Sequence, residues 1–318
     1  MKCPRERANC HKYNTVRHCP GCPLWKQAKE ARQARMGMPQ PLPTAPQPLP
    51  TAPQPLPTAS QSAPYALRLA PRPIVYHYDG SLAGFYSCVF ESFSMRELPI
   101  DIRAGHEIQP TLVEAKDIAT DHAKAQRVRA SIPVKIAKEA LALVETVFLS
   151  CLAQKELLTL RFLDLAYREG GKALNMLGHP HVAPLWKADK SLMREVHQLK
   201  GFVRFSDYEG ILAAAISPKN FVLPFLSGHF SARLAEERFI IYDKTHKACL
   251  IYQDHRHKIL PFDEMHFPQA DENEESYRAL WKSFYHTIAI EARINPRLRM
   301  TNLPKRYWGE MTEMQELL

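Results

Sequence analysis

Residues 195–205 read Glu-Val-His-Gln-Leu-Lys-Gly-Phe-Val-Arg-Phe. A helical run carrying Glu195 and His197 is expected to stop at Gly201 and to become a strand that presents Arg204. A carboxylate, an imidazole and a guanidinium then meet at one helix-to-strand junction, a set suited to proton transfer beside a held anion. Residues two apart diverge by about 200° on an ideal helix. A joint Glu195–His197 site therefore requires the helix to end near His197, or a partner from elsewhere. His229 and Arg233 are four apart and share a helical face, which suits an anion or a phosphate. Asp243 ends an apolar strand, a place where carboxylates open on clefts. The sharp expectation is one pocket in which Glu195, His197, Arg204, His229, Arg233 and Asp243 act together. His197 or His229 would serve as acid and base, and Arg204 or Arg233 would hold a phosphate. The plain alternative is a pair of satisfied histidines and an arginine paired to Asp243.

Two further groups carry chemistry. Cys3, Cys10, Cys19 and Cys22 form C-x6-C-x8-C-x2-C, and Pro20-Gly21 turns the last pair so that both sulfurs face one ion. Four thiolates suit tetrahedral zinc, with His11 and His18 near enough to substitute; an iron–sulfur cluster is the second possibility and no metal the third. At the other end, Arg293, Arg297, Arg299, Lys305 and Arg306 precede Tyr307 and Trp308. Cations on a phosphate backbone with a ring stacked on a base would make this the nucleic-acid-binding stretch of the body. The alternative is an aromatic plug that packs the C-terminal tail. His255 and His257 fit a solvated hairpin tip better than a metal pair. Cys88, Cys151 and Cys249 lie on apolar faces and are expected to be core thiols. P-loop, Rossmann and nucleophile-elbow patterns are absent from 74–318.

The elements that must position these residues follow from periodicity. Ile74–Tyr78 is expected to be a strand, with Asp79 or Ser81 capping a helix that buries Phe85, Val89 and Phe93. Helical periodicity recurs over 120–131, 133–152 (with Pro133 in its first turn), 154–168 and 190–199. The period then shortens. Residues 202–205, 211–216, 239–242, 248–252 and 258–260 are expected to be strands, interrupted by a helix over 218–234. An amphipathic helix over 275–291 follows. Helices followed by mostly hairpin-connected strands give an α+β fold: a helical N-terminal half packed on a small, mainly antiparallel sheet.

Three parts are expected: a basic four-cysteine metal-binding arm over 1–35, a disordered Pro-rich linker over 36–73, and a globular domain over 74–318. The linker holds three copies of Pro-Gln-Pro-Leu-Pro-Thr-Ala, at 39–45, 46–52 and 53–59. Proline fixes φ and removes donors, so this tract should be an extended spacer. The net charge of +9 is concentrated in the arm, which has nine Lys/Arg and two Asp/Glu. The segment 74–318 has 31 of each sign and is formally neutral. A basic arm is drawn to phosphate without sequence preference. Seven cysteines, an odd number, and no apolar run of bilayer length point to a cytoplasmic protein with no membrane role.

Five stretches also carry a likeness. They are Tyr78-Asp79-Gly80-Ser81-Leu82 with Gly84-Phe85; Thr120-Asp121 with Lys124-Ala125 and Arg127-Val128; Glu195 to Phe205; His229-Phe230 with Arg233 and Ile240-Ile241-Tyr242-Asp243; and Leu280-Trp281-Lys282 through Arg293, Asn295-Pro296 and Leu303 to Trp308. Across residues 74–310 the chain resembles an uncharacterised bacterial family of DNA-metabolism or DNA-repair proteins. Its members are typically encoded beside a radical-SAM protein and are sometimes joined to a uracil-DNA glycosylase domain. That family has no established activity, so the likeness assigns no catalytic residue and leaves open whether the body is an enzyme. It implies a protein that binds nucleic acid and acts with a radical-SAM partner, recognising or processing damaged DNA. The alternative it leaves is a noncatalytic scaffold that docks that partner.

Overall fold

The computed structural model describes residues 69–105 and 113–317. The expectations for the arm, its four cysteines and the linker up to residue 68 lie outside the described residues. In what is described, helices and strands are mixed and the fold is α+β.

The first part is built on β2 (Ile74–Tyr78), the centre of a three-stranded parallel sheet between β4 (Asp101–Ala104) and β5 (Glu114–Asp117). All five residues of β2 are buried, as a parallel strand covered on both faces requires. A short parallel pair joins β1 (Ala70–Pro71) to β3 (Glu97–Leu98), and Leu69 is already buried. Helix α1 (Leu82–Met95) follows β2. The Ser81 hydroxyl accepts from Gly84 N, and the Asp79 carboxylate takes bonds from the Ser81 hydroxyl at 2.7 Å and from Thr120 at 2.7 Å. Asp121 in turn caps α2 (His122–Lys135), so two separate stretches of the likeness form one paired cap.

Three helices complete this part: α3 (Lys138–Phe148), α4 (Lys155–Glu169) and the first half of α5 (Ala183–Phe202). Pro133 does not open α3, as its position suggested. It lies in the last turn of α2, where its missing N–H removes one late bond of the ladder and the helix closes with Ile136 N on Ile132 O.

The second part is a five-stranded sheet in the order β10-β9-β8-β7-β6. Its strands are β6 (Ser206–Tyr208), β7 (Ile211–Ile216), β8 (Arg238–Asp243), β9 (Ala248–Gln253) and β10 (Arg256–Pro261). Hairpins make three of the four pairings antiparallel. β7 and β8 are parallel, because α6 (Leu223–Arg233) supplies the crossover between them. After the sheet come α7 (Glu272–Thr287), α8 (Pro296–Asn302) and 3-10 turns at Glu291–Arg293, Lys305–Glu310 and Gln315–Leu317.

Helix α5 runs through both parts. Leu185 and Ala188 belong to the first core, and Leu192, Val196 and Leu199 to the second. It does not stop at Gly201. Phe202 stays helical and packs its ring 5.7 Å from that of Tyr307, so Arg204 follows the helix in a loop rather than on a strand. Cys88 and Cys249 are buried, with thiols pushed up by burial to about 12 and about 11, whereas Cys151 is exposed and is not a core thiol.

A Cβ at Gly84 would lie 2.2 Å from an Asp79 carboxylate oxygen and 2.9 Å from the Thr120 hydroxyl. Gly84→Ala is therefore expected to break the paired cap and to cost about 1–3 kcal/mol, read as a lowered midpoint in urea unfolding.

Candidate functional site

The Glu195 carboxylate is 2% exposed and sits where α5 meets two chain segments far away in sequence. It accepts from Lys219 N and Asn220 N at 2.9 Å each, from Asn220 Nδ2 at 2.6 Å, from Tyr307 Oη at 2.7 Å and from Arg306 Nη2 at 3.0 Å. Burial pushes its pKa up, but these donors outweigh burial and leave it below the ordinary carboxylate value. It stays charged and saturated, with no lone pair left over for proton transfer. Its role is to fasten the 3-10 turn at Lys305–Glu310 to α5.

The remaining expected site residues do not converge on one pocket. His197 is exposed, on the side of α5 away from Glu195. The helix continues past it, so the two never share a face. Arg204 pairs with Glu313 at 2.5 Å and lies over the Trp281 ring at 5.2 Å. Asp243 is fully buried. It accepts from Thr245 N at 3.0 Å and pairs with the His246 ring at 2.7 Å, so it holds the β8–β9 turn and does not face a cleft. His229 and Arg233 do share a face of α6. Burial, then Lys200 and Arg233, pull the His229 pKa down.

Arg204 does line a small polar hollow of about 220 Å³ with Lys244, Arg278 and Glu310. Each cation there already has a carboxylate: Glu313 for Arg204, Glu310 for Lys244 at 2.9 Å, and Glu274 for Arg278 at 2.7 Å. An anion entering it would have to displace them. A hollow of about 720 Å³ lies between α1 and α2, far in sequence from all the expected site residues. Its walls include Phe90, Phe93, Val128 and Tyr167, and it contains no acid/base pair.

At the C-terminal stretch, Arg293 and Arg297 are exposed, and Arg299 and Lys305 lie over the Trp308 ring at 5.4 and 5.5 Å. Tyr307 and Trp308 are 2% and 3% exposed. Neither ring offers a face to a base, which corrects the stacking expectation: they plug the second core.

The feature that sequence reasoning missed is the outer side of α5. Its exposed residues are Lys187, Lys190, Ser191, Met193, Arg194, His197, Lys200 and Gly201. Not one is acidic. Glu195 is buried, and Asp189 is half-buried with its pKa raised by desolvation. Lys187, Lys190, Arg194 and His197 follow a three-four spacing and form a ridge, with Lys200 on its flank beside His229. Among the described residues no carboxylate pairs with any of these cations. On the other flank, Gln198 Nε2 donates to Asn302 O at 3.2 Å, so α8 and the Arg306 turn lie alongside. The ridge spans roughly 20 Å from Lys187 to Lys200 at helical rise. The sequence signal was present: four cations at i, i+3, i+7 and i+13 of one helix, once the helix is begun at Ala183 rather than at Lys190.

The Glu195 hub is expected to govern stability. Glu195→Gln turns an amide toward donors that need an acceptor, and should cost about 2–4 kcal/mol at neutral pH. The folded pKa lies below the unfolded value, so the wild-type advantage is complete above the unfolded carboxylate range and shrinks as pH falls through it. The gap between wild type and variant in urea unfolding should therefore narrow below about pH 4.

A family described as DUF4130, a domain of unknown function, matches residues 153–313, a little over half of the chain. No curated protein matches it.

Proposed function

The chain belongs to the DUF4130 family, and from that footing we propose that it is a nucleic-acid-binding protein whose body engages phosphates along the outer ridge of α5. The observation that carries this reading is a run of exposed, unpaired cations on one helix of a formally neutral body. Charge segregated in this way is the electrostatic footprint of a polyanion site. Arg233, four residues after the His229 that adjoins Lys200, and Lys305, beyond the α8 end that Gln198 holds, are exposed as well. Binding through such a surface is expected to follow the phosphate backbone, with little sequence preference.

The finer part of the proposal rests on the likeness drawn from residues 74–310. It makes the nucleic acid DNA, the setting DNA repair or DNA metabolism, and the working partner a radical-SAM protein. The body holds the DNA, damaged or not, and the partner supplies the chemistry. A second reading, a noncatalytic module that docks that partner, draws on the separate engagements of Arg204 with Glu313 and of Asp243 with His246.

Replacing Lys187, Lys190, Arg194 and Lys200 by Gln should weaken binding to duplex and single-stranded DNA at least tenfold. The slope of log affinity against log salt should become shallower by roughly 2–4, since each lost phosphate contact removes about 0.9. Fluorescence anisotropy over a salt series reads both. An unchanged slope would remove the ridge from the interface. Deleting residues 1–60 should lower the slope separately if the basic arm contributes.

The four cysteines remain proposed ligands for zinc, with an iron–sulfur cluster as the alternative. Elemental analysis of the intact chain should then give about one zinc per chain, lost when Cys19 and Cys22 are both changed to Ser. Retention of metal in that variant would count against the assignment.

A further inference from the structure

Helix α7 turns Glu274, Arg278 and Lys282 toward the body, with Tyr285 packed against the second core, and leaves most of its apolar side chains outward. Its inner face is fastened by directed bonds. Asp207 N donates to Glu274 at 3.1 Å, and Arg278 reaches Glu274 at 2.7 Å and the Ser206 hydroxyl at 2.7 Å. Trp281 Nε1 donates to Glu313 at 2.9 Å, and Lys282 to Glu316 at 2.7 Å. These bonds fix which side faces out. The outward stripe is Tyr277, Leu280, Phe284 and Ile288, continued by Ile290 and Ile294, all between 52% and 68% exposed, with Trp281, 38% exposed and bonded to Glu313, on its inner edge. Small residues, Ser276, Ala279 and Ser283, flank it. A stripe at this spacing bordered by small side chains is the surface that packs against another helix.

We propose that this face is the two-fold interface of a homodimer, with α7 of one copy antiparallel to α7 of the other. Two observations choose a second copy as the occupant. The first is charge. The helix begins with Asp271, Glu272 and Glu275, and the chain beyond its end carries Arg293 and Arg297. Glu272 and Arg293 are both exposed and without an ion pair among the described residues. An antiparallel pair centred between Leu280 and Phe284 sets Leu280 of each copy against Phe284 of the other. Tyr277 then meets the region of Ile288, and each acidic first turn reaches past the end of the other copy's helix at Thr287, where the chain that carries Arg293 continues. The surface is complementary to itself under a two-fold rotation, the condition for an isologous interface. The second is area. Seven large apolar side chains, each between 38% and 68% exposed, leave more than the few hundred Å² of apolar patch that a monomer ordinarily shows, which approaches the roughly 800 Å² per partner of a stable interface.

Sedimentation of the full-length chain across the micromolar range tests this. The wild type should sediment at twice the chain mass. Leu280→Glu with Phe284→Glu should raise the dissociation constant by roughly a hundredfold or more and leave the circular dichroism and the melting temperature of the monomer unchanged, because both side chains are exposed. Leu177→Glu, an exposed leucine elsewhere, should leave the dimer intact. Glu272→Arg should weaken the dimer, and adding Arg293→Glu to the same chain should restore it, a rescue that only a reciprocal arrangement gives. A wild type that stays monomeric overturns the proposal. If the double variant then melts lower, another part of this chain covers the face. If the monomer instead binds DNA or vesicles and the double variant does not, the occupant is of that other kind. A dimer that survives Leu280→Glu with Phe284→Glu overturns the proposal as well.

Discussion

One buried carboxylate organises the second half of this chain. Glu195 carries a charge in a place where water cannot reach it, and a charge there is tolerated only when donors replace the water. The donors come from the segment after β7 and from the turn at Lys305–Glu310, more than a hundred residues further on. The arrangement extends one residue beyond the charge. Asn220 donates to Glu195 with its amide nitrogen and accepts from Cys151 N at 2.9 Å with its amide oxygen. Phe221 N bonds Leu149 O at 2.9 Å. The turn between α3 and α4, the helix α5, the start of α6 and the C-terminal segment are thereby tied to a single point. The residue that looked most like chemistry is a structural anchor, and saturation by donors is what separates the two roles.

That anchor has a consequence for the opposite side of the same helix. With Glu195 and the apolar residues Leu192, Val196 and Leu199 turned inward, the remaining positions of α5 are forced outward together. Half of the exposed ones are Lys or Arg, and none is acidic. Because α5 is continuous through both cores, the ridge is carried on a rigid element rather than on loops, and its charges keep a fixed spacing. The Arg306 guanidinium, held by Glu195 and Tyr307, keeps the C-terminal turn beside that ridge.

Much of the fold was legible from local signals. Alternation and turn chemistry marked β7 to β10, and the cap at Ser81 was visible before the helix it opens. What could not be read had non-local causes. Gly201 carries a stop signal, but Phe202 gains a buried ring partner in Tyr307, and the helix follows the packing. β4 and β5 are short and polar; they become strands only because the buried strand β2 needs partners on both edges. The candidate site was half legible for the same reason. Spacing showed that Glu195 and His197 point apart, and the structure keeps them apart. Spacing could not show that Tyr307 and Trp308 lie in the core, because what buries them is α5, far away in sequence.

Orientation settles the meaning of α7 as well. An amphipathic pattern in a sequence says that one face is apolar and leaves open which way it turns. Tyr277, Leu280 and Phe284 would ordinarily be assigned to the core of their own domain. Here the inner positions are taken by Glu274, Arg278 and Lys282, each with a partner on the body, and a helix held in that way cannot rotate its apolar side inward without breaking those bonds. Tyr307, Trp308 and Met311 already belong to the adjoining core. The same C-terminal turn that Glu195 fastens therefore both seals the second core and obliges α7 to offer its hydrophobic side to something outside it.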